Sequence, residues 1–176
     1  FQPFAGIYKT YMIPNRDQDV SKRLEQLILA IKLVYASTFF KASRSFAKST
    51  SHRMEDEKMA VVIQQLTGEN RDEFFYPAIS GVAQSYNFYP ISHLKPEEGI
   101  AHIALGLGKT VVEGGTALRF SPRYPQFLPQ FSTVDDILAN AQRFLYALKM
   151  DGFTQSLPAD ENATLARLEL DEVAHY

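Results

Sequence analysis

Six residues from Ile100 to Leu105 are apolar except for His102, and Gly106-Leu107-Gly108 follow them directly. A run of that length, closed by glycine, predicts a buried strand that ends abruptly. Glycine at a strand end lets backbone N–H groups approach an anion, because no Cβ stands in the way. Lys109 and Thr110 come next, then Val111 and Val112, the pair Gly114-Gly115 and a short run ending at Arg119. The stretch therefore has two readings, an anion site at a strand end or a tight turn with a solvated lysine.

The flanking chain supplies mixed elements. Tyr8, Thr10 and Tyr11 suit a short strand that ends at the turn signal Pro14-Asn15. Asp19 or Ser21 can cap a helix from about Val20 to Phe40, with Leu24, Leu27, Ile28, Ile31, Val34, Tyr35 and Phe39 forming one apolar stripe expected in the core. Lys41 to Lys48 reads as a second helix whose Lys41, Arg44 and Lys48 form a solvated face, and Ser49 to Lys58 as a loop. Met59 to Leu66 (MAVVIQQL) predicts a central strand, Gly68 to Asp72 a turn, and Phe74 to Pro77 an aromatic corner. Ala78 to Tyr86 predicts another strand, with Gly81 marking a bulge or a close backbone approach. Ile91 to Glu98 reads as a loop. The three prolines of SPRYPQFLPQF, Ser121 to Phe131, exclude helix and central strand, and its aromatics are expected to dock it on the surface. Ser132 to Asp136 has a capping-box pattern, and a helix is expected from there to about Met150, stopped by Gly152. Leu165 to Leu170 alternates in part, as an exposed strand does. The sum is α+β with a mostly antiparallel sheet flanked by helices.

Composition limits the function. The chain has 176 residues, 45% of them hydrophobic, and a net charge of −2, so it carries no electrostatic footprint for nucleic acid or an acidic membrane. It lacks cysteine, which excludes thiolate metal sites and disulfides and fits a reducing, cytoplasmic setting. No apolar run is long enough to span a bilayer. The first residue is Phe1, so the chain is expected to be part of something longer. GLGKT is not a Walker A loop, because the required early glycine falls on Ile103. It is not a dinucleotide fingerprint either, since the third glycine would fall on Val111. His52, His93, His102 and His175 lack metal-ligand spacing and read as structural or solvated.

Five segments occur in a telling order. They are Phe4-Ala5-Gly6 with Thr10; Tyr35-Ala36-Ser37 with Phe39 and Arg44; Met59 to Gln64; Ser80-Gly81-Val82; and Gly106-Leu107-Gly108 with Val111, Val112 and Gly114. Over about residues 1–123 this order resembles the nucleotide-binding domain of the phosphoenolpyruvate synthase and pyruvate phosphate dikinase family. The resemblance implies an ATP-grasp-like fold, here an incomplete domain, with residues 1–123 as its distal part and 124–176 as a C-terminal extension packed on it. It implies a parent that moves a phosphoryl group from ATP to a histidine on a swivelling domain and then to pyruvate. The nucleotide, the phosphohistidine domain and the pyruvate-binding domain are then the partners, and this piece alone would not turn over. Backbone at Gln65 and Leu66, after Gln64, would hold adenine. Gly106, Gly108, Lys109 and Arg119 would face the phosphates.

The departures from the family pattern fall on its acidic positions. The glutamate of its GLGE is Lys109 here, the acid of the following V-x-PD is Arg119, and the aspartate of SGV-x-FT-x-DP is Asn87. Mg²⁺ prefers hard anionic oxygen, and an ammonium beside it at about 4 Å opposes it by roughly 4 kcal/mol per unit charge at an effective dielectric near 20. The family's usual metal site is therefore expected to be absent. Three readings follow: an active phosphotransferase parent, a degenerate module binding nucleotide or another anion without metal, or a solvated face where Lys109 and Arg119 pair with Glu113 or other local acids.

Overall fold

A computed structural model describes residues 7–49, 58–151, 160 and 162–173. Among them the chain forms an α+β fold of five α-helices and seven strands. It divides into two compact units, Phe1–Leu66 with Leu148–Leu165 and Thr67–Ala147 with Ala166–Tyr176.

The first unit is built on α1 (Val20–Ala36) and α2 (Lys41–Ser49). Asp19 begins α1, accepting the Ser21 N–H at 2.8 Å and so satisfying one of the donors a helix start leaves open. The helix stops four residues short of Phe40. Ser37 Oγ donates to the Val34 carbonyl at 2.6 Å, and the chain tightens into a 3-10 turn over Ser37–Phe39. The expected apolar stripe is not core. Leu24, Ile28, Tyr35 and Phe39 are 54%, 40%, 47% and 71% exposed, whereas Ala30 and Ser37 are buried. Burial falls on the side of Ala30 and Ser37, and at Ser37 hydrogen bonds to loop backbone account for it. Ser37 Oγ accepts the Lys9 N–H at 3.1 Å, and Ser43 Oγ donates to the Ser37 carbonyl at 2.7 Å and the Ile7 carbonyl at 3.2 Å. This explains why Tyr8 to Tyr11 is not a strand: the Lys9 N–H goes to a helix-end hydroxyl rather than to a ladder.

Met59 to Leu66 also forms no strand, and Val62 and Ile63 are 76% and 61% exposed. β-branched residues favour a pleated, half-buried surface, and without a ladder partner that preference has nothing to act on. Phe4-Ala5-Gly6, the loop residues 50–57 and the Gly152 stop lie outside the described residues.

The second unit opens with a hairpin, β1 (Glu69–Arg71) and β2 (Phe74–Tyr76), antiparallel with Glu69 opposite Tyr76. Its turn contains Asp72 at φ 53°, in the left-handed region where a short polar side chain is tolerated. Next come β3 (Ile79–Gln84), β4 (Ile100–Leu105), α3 (Lys109–Val112) and β5 (Leu118–Phe120). The order β3-β4-β5 places β4 at the centre, with Ala101 and Ala104 buried. Gly81 marks a close approach, since a Cβ there would lie 2.5 Å from the His102 carbonyl oxygen.

Between Phe120 and α4 (Val134–Asn140) the chain docks by Gln130 and by aromatics. Gln130 Oε1 accepts the Arg119 N–H at 2.8 Å and Nε2 donates to the Ala117 carbonyl at 3.1 Å, so one side chain serves the open edge of β5. Tyr124 and Phe127 rings sit 5.6 and 4.7 Å from the His93 ring.

Helix α4 has the expected capping box: Thr133 Oγ1 accepts the Asp136 N–H and Asp136 Oδ2 accepts the Thr133 N–H, both at 3.1 Å. It does not continue to Met150. Asn140 Nδ2 donates back to the Asp136 carbonyl at 2.8 Å, Ala141 turns extended, and Phe144–Lys149 is a strand, β6. The residues 144–149 can be read with either period, and pairing decides. As a strand they bury Leu145, Ala147 and Leu148, while Val134, Ile137 and Leu138 of the helical portion remain exposed. β7 (Leu165–Glu169) follows and leads into α5 (Leu170–Val173). Lys149 N–H donates to the Thr164 carbonyl and Leu170 N–H to the Arg143 carbonyl, so β6 and β7 run antiparallel within the sheet β1-β2-β6-β7.

Candidate functional site

The candidate site is built on the end of β4. After Leu105 the backbone turns at Gly106, whose φ of 78° disfavours a side chain. A Cβ there would also lie 2.8 Å from both Leu145 Cβ and the Tyr146 carbonyl oxygen. Leu107, 3% exposed, donates its N–H to that same Tyr146 carbonyl at 2.9 Å. Gln142 fixes the last residue of the strand. Its Oε1 accepts the Leu105 N–H at 2.8 Å, and its Nε2 donates to the carbonyls of Leu105 at 3.0 Å and Phe144 at 2.8 Å. The glycine turn is thus held on the β6 strand, and the need for glycine at position 106 comes from packing and backbone conformation. Gly108 differs. Its surroundings are open except for Ser80, whose Cβ and Oγ would lie 3.8 Å from an added Cβ.

Among the described residues, two hydroxyls close to this turn have no partner. Ser80 Oγ and Thr110 Oγ1 are both shut off from solvent without a hydrogen bond there, and Thr110 as a whole is 3% exposed. An unpaired buried hydroxyl costs about 1–3 kcal/mol, so each marks a place where an external acceptor or donor would be rewarded.

Lys109 is engaged. It forms an ion pair with Glu113 one helical turn on, and its Nζ lies 5.4 Å from the centre of the Tyr146 ring. Arg119 stands on β5 directly opposite His102 of β4 and has no ion pair among the described residues. Burial first, and then the Arg119 guanidinium, hold the His102 imidazole below its ordinary value. His102 is therefore neutral at pH 7, with one N–H to donate and one nitrogen to accept.

Of the residues the sequence singles out, Gly106, Gly108 and Lys109 form one turn and Arg119 stands on the same sheet. Arg119 lies about 14 Å from Gly106 measured along β4, four residues at about 3.4 Å each. Gln64, Gln65 and Leu66 belong to the first unit, where Gln64 and Gln65 are exposed and Leu66 is half-buried. Asn87 is buried at 5% exposure and builds a turn, its Oδ1 accepting the Tyr89 N–H at 3.0 Å. Sequence reasoning missed Gln142 and Tyr146, and it noted Ser80 only as part of Ser80-Gly81-Val82, without a role at the site. A lone glutamine has no pattern of its own; only the register reveals what it meets.

Among the described residues no three His, Asp or Glu side chains group as metal ligands would, and no helix is long and apolar enough to cross a membrane. The strand-end glycine turn, the buried hydroxyls beside it and the cation on the same sheet are all parts of one α+β fold. Residues 1–176 match the family described as pyruvate phosphate dikinase, AMP/ATP-binding domain. The chain belongs to that family. No curated protein and no solved structure matches it.

Proposed function

We propose that this chain supplies the nucleotide-binding part of a phosphotransferase of the phosphoenolpyruvate synthase and pyruvate phosphate dikinase kind. In that reading ATP is bound in an ATP-grasp-like domain, and its phosphoryl group passes to a histidine on a separate domain of the parent and then to pyruvate, in the cytoplasm. The observation that carries the reading is the family match over all 176 residues. Phosphoryl transfer asks a protein mainly for positioning and charge neutralisation; an open glycine beside unpaired hydroxyls suits the first and the Arg119 guanidinium the second. Backbone at Gln65 and Leu66 would hydrogen-bond adenine, with Gln64 leading into them. Gly106, Gly108 and Arg119 would form the phosphate side, with Lys109 beside them at the start of α3, held by Glu113. Residues 1–123 would form the distal part of the domain and 124–176 an extension, a reading supported by β6 and β7 sharing a sheet with β1 and β2.

The residues at the family's acidic positions do not fit Mg²⁺. Asn87 spends its oxygen on a turn, Lys109 holds Glu113, and Arg119 is a cation. This favours a second reading, a module that binds nucleotide or another anion for regulation without metal. Calorimetric titration of the intact protein with ATP, ADP and AMP tests the common part, with binding expected and failure of all three refuting it. Mg²⁺-dependent exchange of phosphate between ATP and AMP by the intact parent then separates the two, because the metal-free module cannot perform it.

A further inference from the structure

Register and side-chain alternation place a row of polar groups on one face of the β3-β4-β5 sheet. His102 lies between Val82 of β3 and Arg119 of β5, and Ser80 lies opposite Ala104, two residues along β4 from His102. Residues two apart on a strand share a face, so Ser80, His102 and Arg119 project to the same side. Gly108 approaches that side next to Ser80. The row contains a guanidinium without an ion pair among the described residues, a neutral imidazole and a solvent-shielded hydroxyl without a partner. None of its members is acidic. Lys109, by contrast, already has a carboxylate and a ring face as neighbours.

We infer that the phosphates at this site are met by Arg119, His102 and Ser80 beside Gly108, and that Lys109 is a positioning residue of α3 and not a phosphate ligand. The inference rests on the nucleotide reading above and names which residues of that site carry the anion. Arg119 supplies the charge and a fork of donors matched to phosphate oxygens. His102 and Ser80 each donate one hydrogen bond further along the row, and Gly108 leaves room for the oxygens because it has no side chain. A cation, two neutral donors and no carboxylate select a phosphate chain free of metal.

Calorimetric titration of the intact protein in EDTA, with ATP, inorganic pyrophosphate and adenosine as probes, tests this. Arg119→Gln is expected to weaken ATP about ten- to a hundred-fold, the range for losing a charge-assisted contact. His102→Gln and Ser80→Ala are expected to weaken it about three- to ten-fold each, in the range of a neutral hydrogen bond. Adenosine affinity should stay unchanged in all three, and pyrophosphate should compete with ATP on the wild type. Lys109→Gln combined with Glu113→Gln, which removes both charges together, should leave ATP within about three-fold. Arg119 is exposed, so Arg119→Gln is expected to fold, and far-UV circular dichroism checks all the variants. Wild-type ATP affinity in Arg119→Gln and His102→Gln overturns the inference, as does a loss in the Lys109/Glu113 double variant equal to that in Arg119→Gln. Adenosine binding as tightly as ATP removes the inference and leaves the nucleotide reading standing. Failure of both ATP and adenosine removes both.

Discussion

Alanine at Gly106 separates a structural need for glycine from a ligand-driven one. The backbone there has φ 78°, where a Cβ costs about 1–2 kcal/mol. The new methyl would also lie 2.8 Å from Leu145 Cβ, 2.8 Å from the Tyr146 carbonyl oxygen and 3.1 Å from Leu145 Cδ1. Leu145 is 3% exposed, so its side chain has little room to yield, and such overpacking costs about 1–3 kcal/mol more. The expected loss for Gly106→Ala is therefore about 2–5 kcal/mol. Gly114→Ala is the control. Its φ is 74° with nothing within 4 Å of an added Cβ, so it should lose only the backbone part, about 1–2 kcal/mol. The chain has no tryptophan, so urea unfolding is best followed by far-UV circular dichroism, with the slope compared between variants to check that the unfolded state is unchanged. Equal losses at the two glycines, or a Gly106→Ala loss under about 0.5 kcal/mol, would refute the packing argument.

Other expectations follow from the caps and from His102. Thr133→Ala removes the side-chain half of the α4 capping box and should cost about 1 kcal/mol, read as faster amide exchange at Asp136 and a lower urea midpoint. The folded-state value of His102 lies below its ordinary 6.5, so the unfolded chain binds more protons there. Its contribution to stability is fully present above pH 6.5 and is lost as pH falls through the folded-state value. Urea midpoints measured from roughly pH 8 down to pH 5 should fall with a slope that His102→Gln flattens, and an unchanged slope would show that His102 is not the group responsible.

What could be read from the sequence was local. The strand Ile100–Leu105 with its glycine stop, the Asp19 cap, the Thr133 capping box and the close approach at Gly81 all depend on residues near one another in the chain or on one backbone conformation. What could not be read depends on partners. Phe144–Lys149 carries apolar residues that suit a helix continuing from α4, and only the sheet around it makes it β6. Met59 to Leu66 has the composition of a strand and no ladder. The stripe on α1 has helical spacing, yet Ala30 and Ser37 are buried instead, Ser37 with the Lys9 N–H hydrogen-bonded to its hydroxyl. At the site, the glycine turn and Lys109 were visible; of the solvated-face alternative the structure has the Lys109–Glu113 pair, but with Lys109 mostly covered and Arg119 without an ion pair among the described residues. The polar row was hidden because it lies across three strands, where neighbours are set by register and not by spacing.

Gln142 gives the β4 end an unusual kind of support. A single side-chain amide answers both backbone groups of Leu105, as a neighbouring peptide would, while Leu107 is tied to Tyr146. The end of β4 and the segment from Gln142 to Tyr146 are thereby joined by hydrogen bonds. Exchange of the Leu105 and Leu107 amide protons with solvent is expected to report one shared opening event, with the glycine turn and β6 moving as a body. A glutamate at position 142 would point a carboxylate at two carbonyls, and that joint would become a point of release.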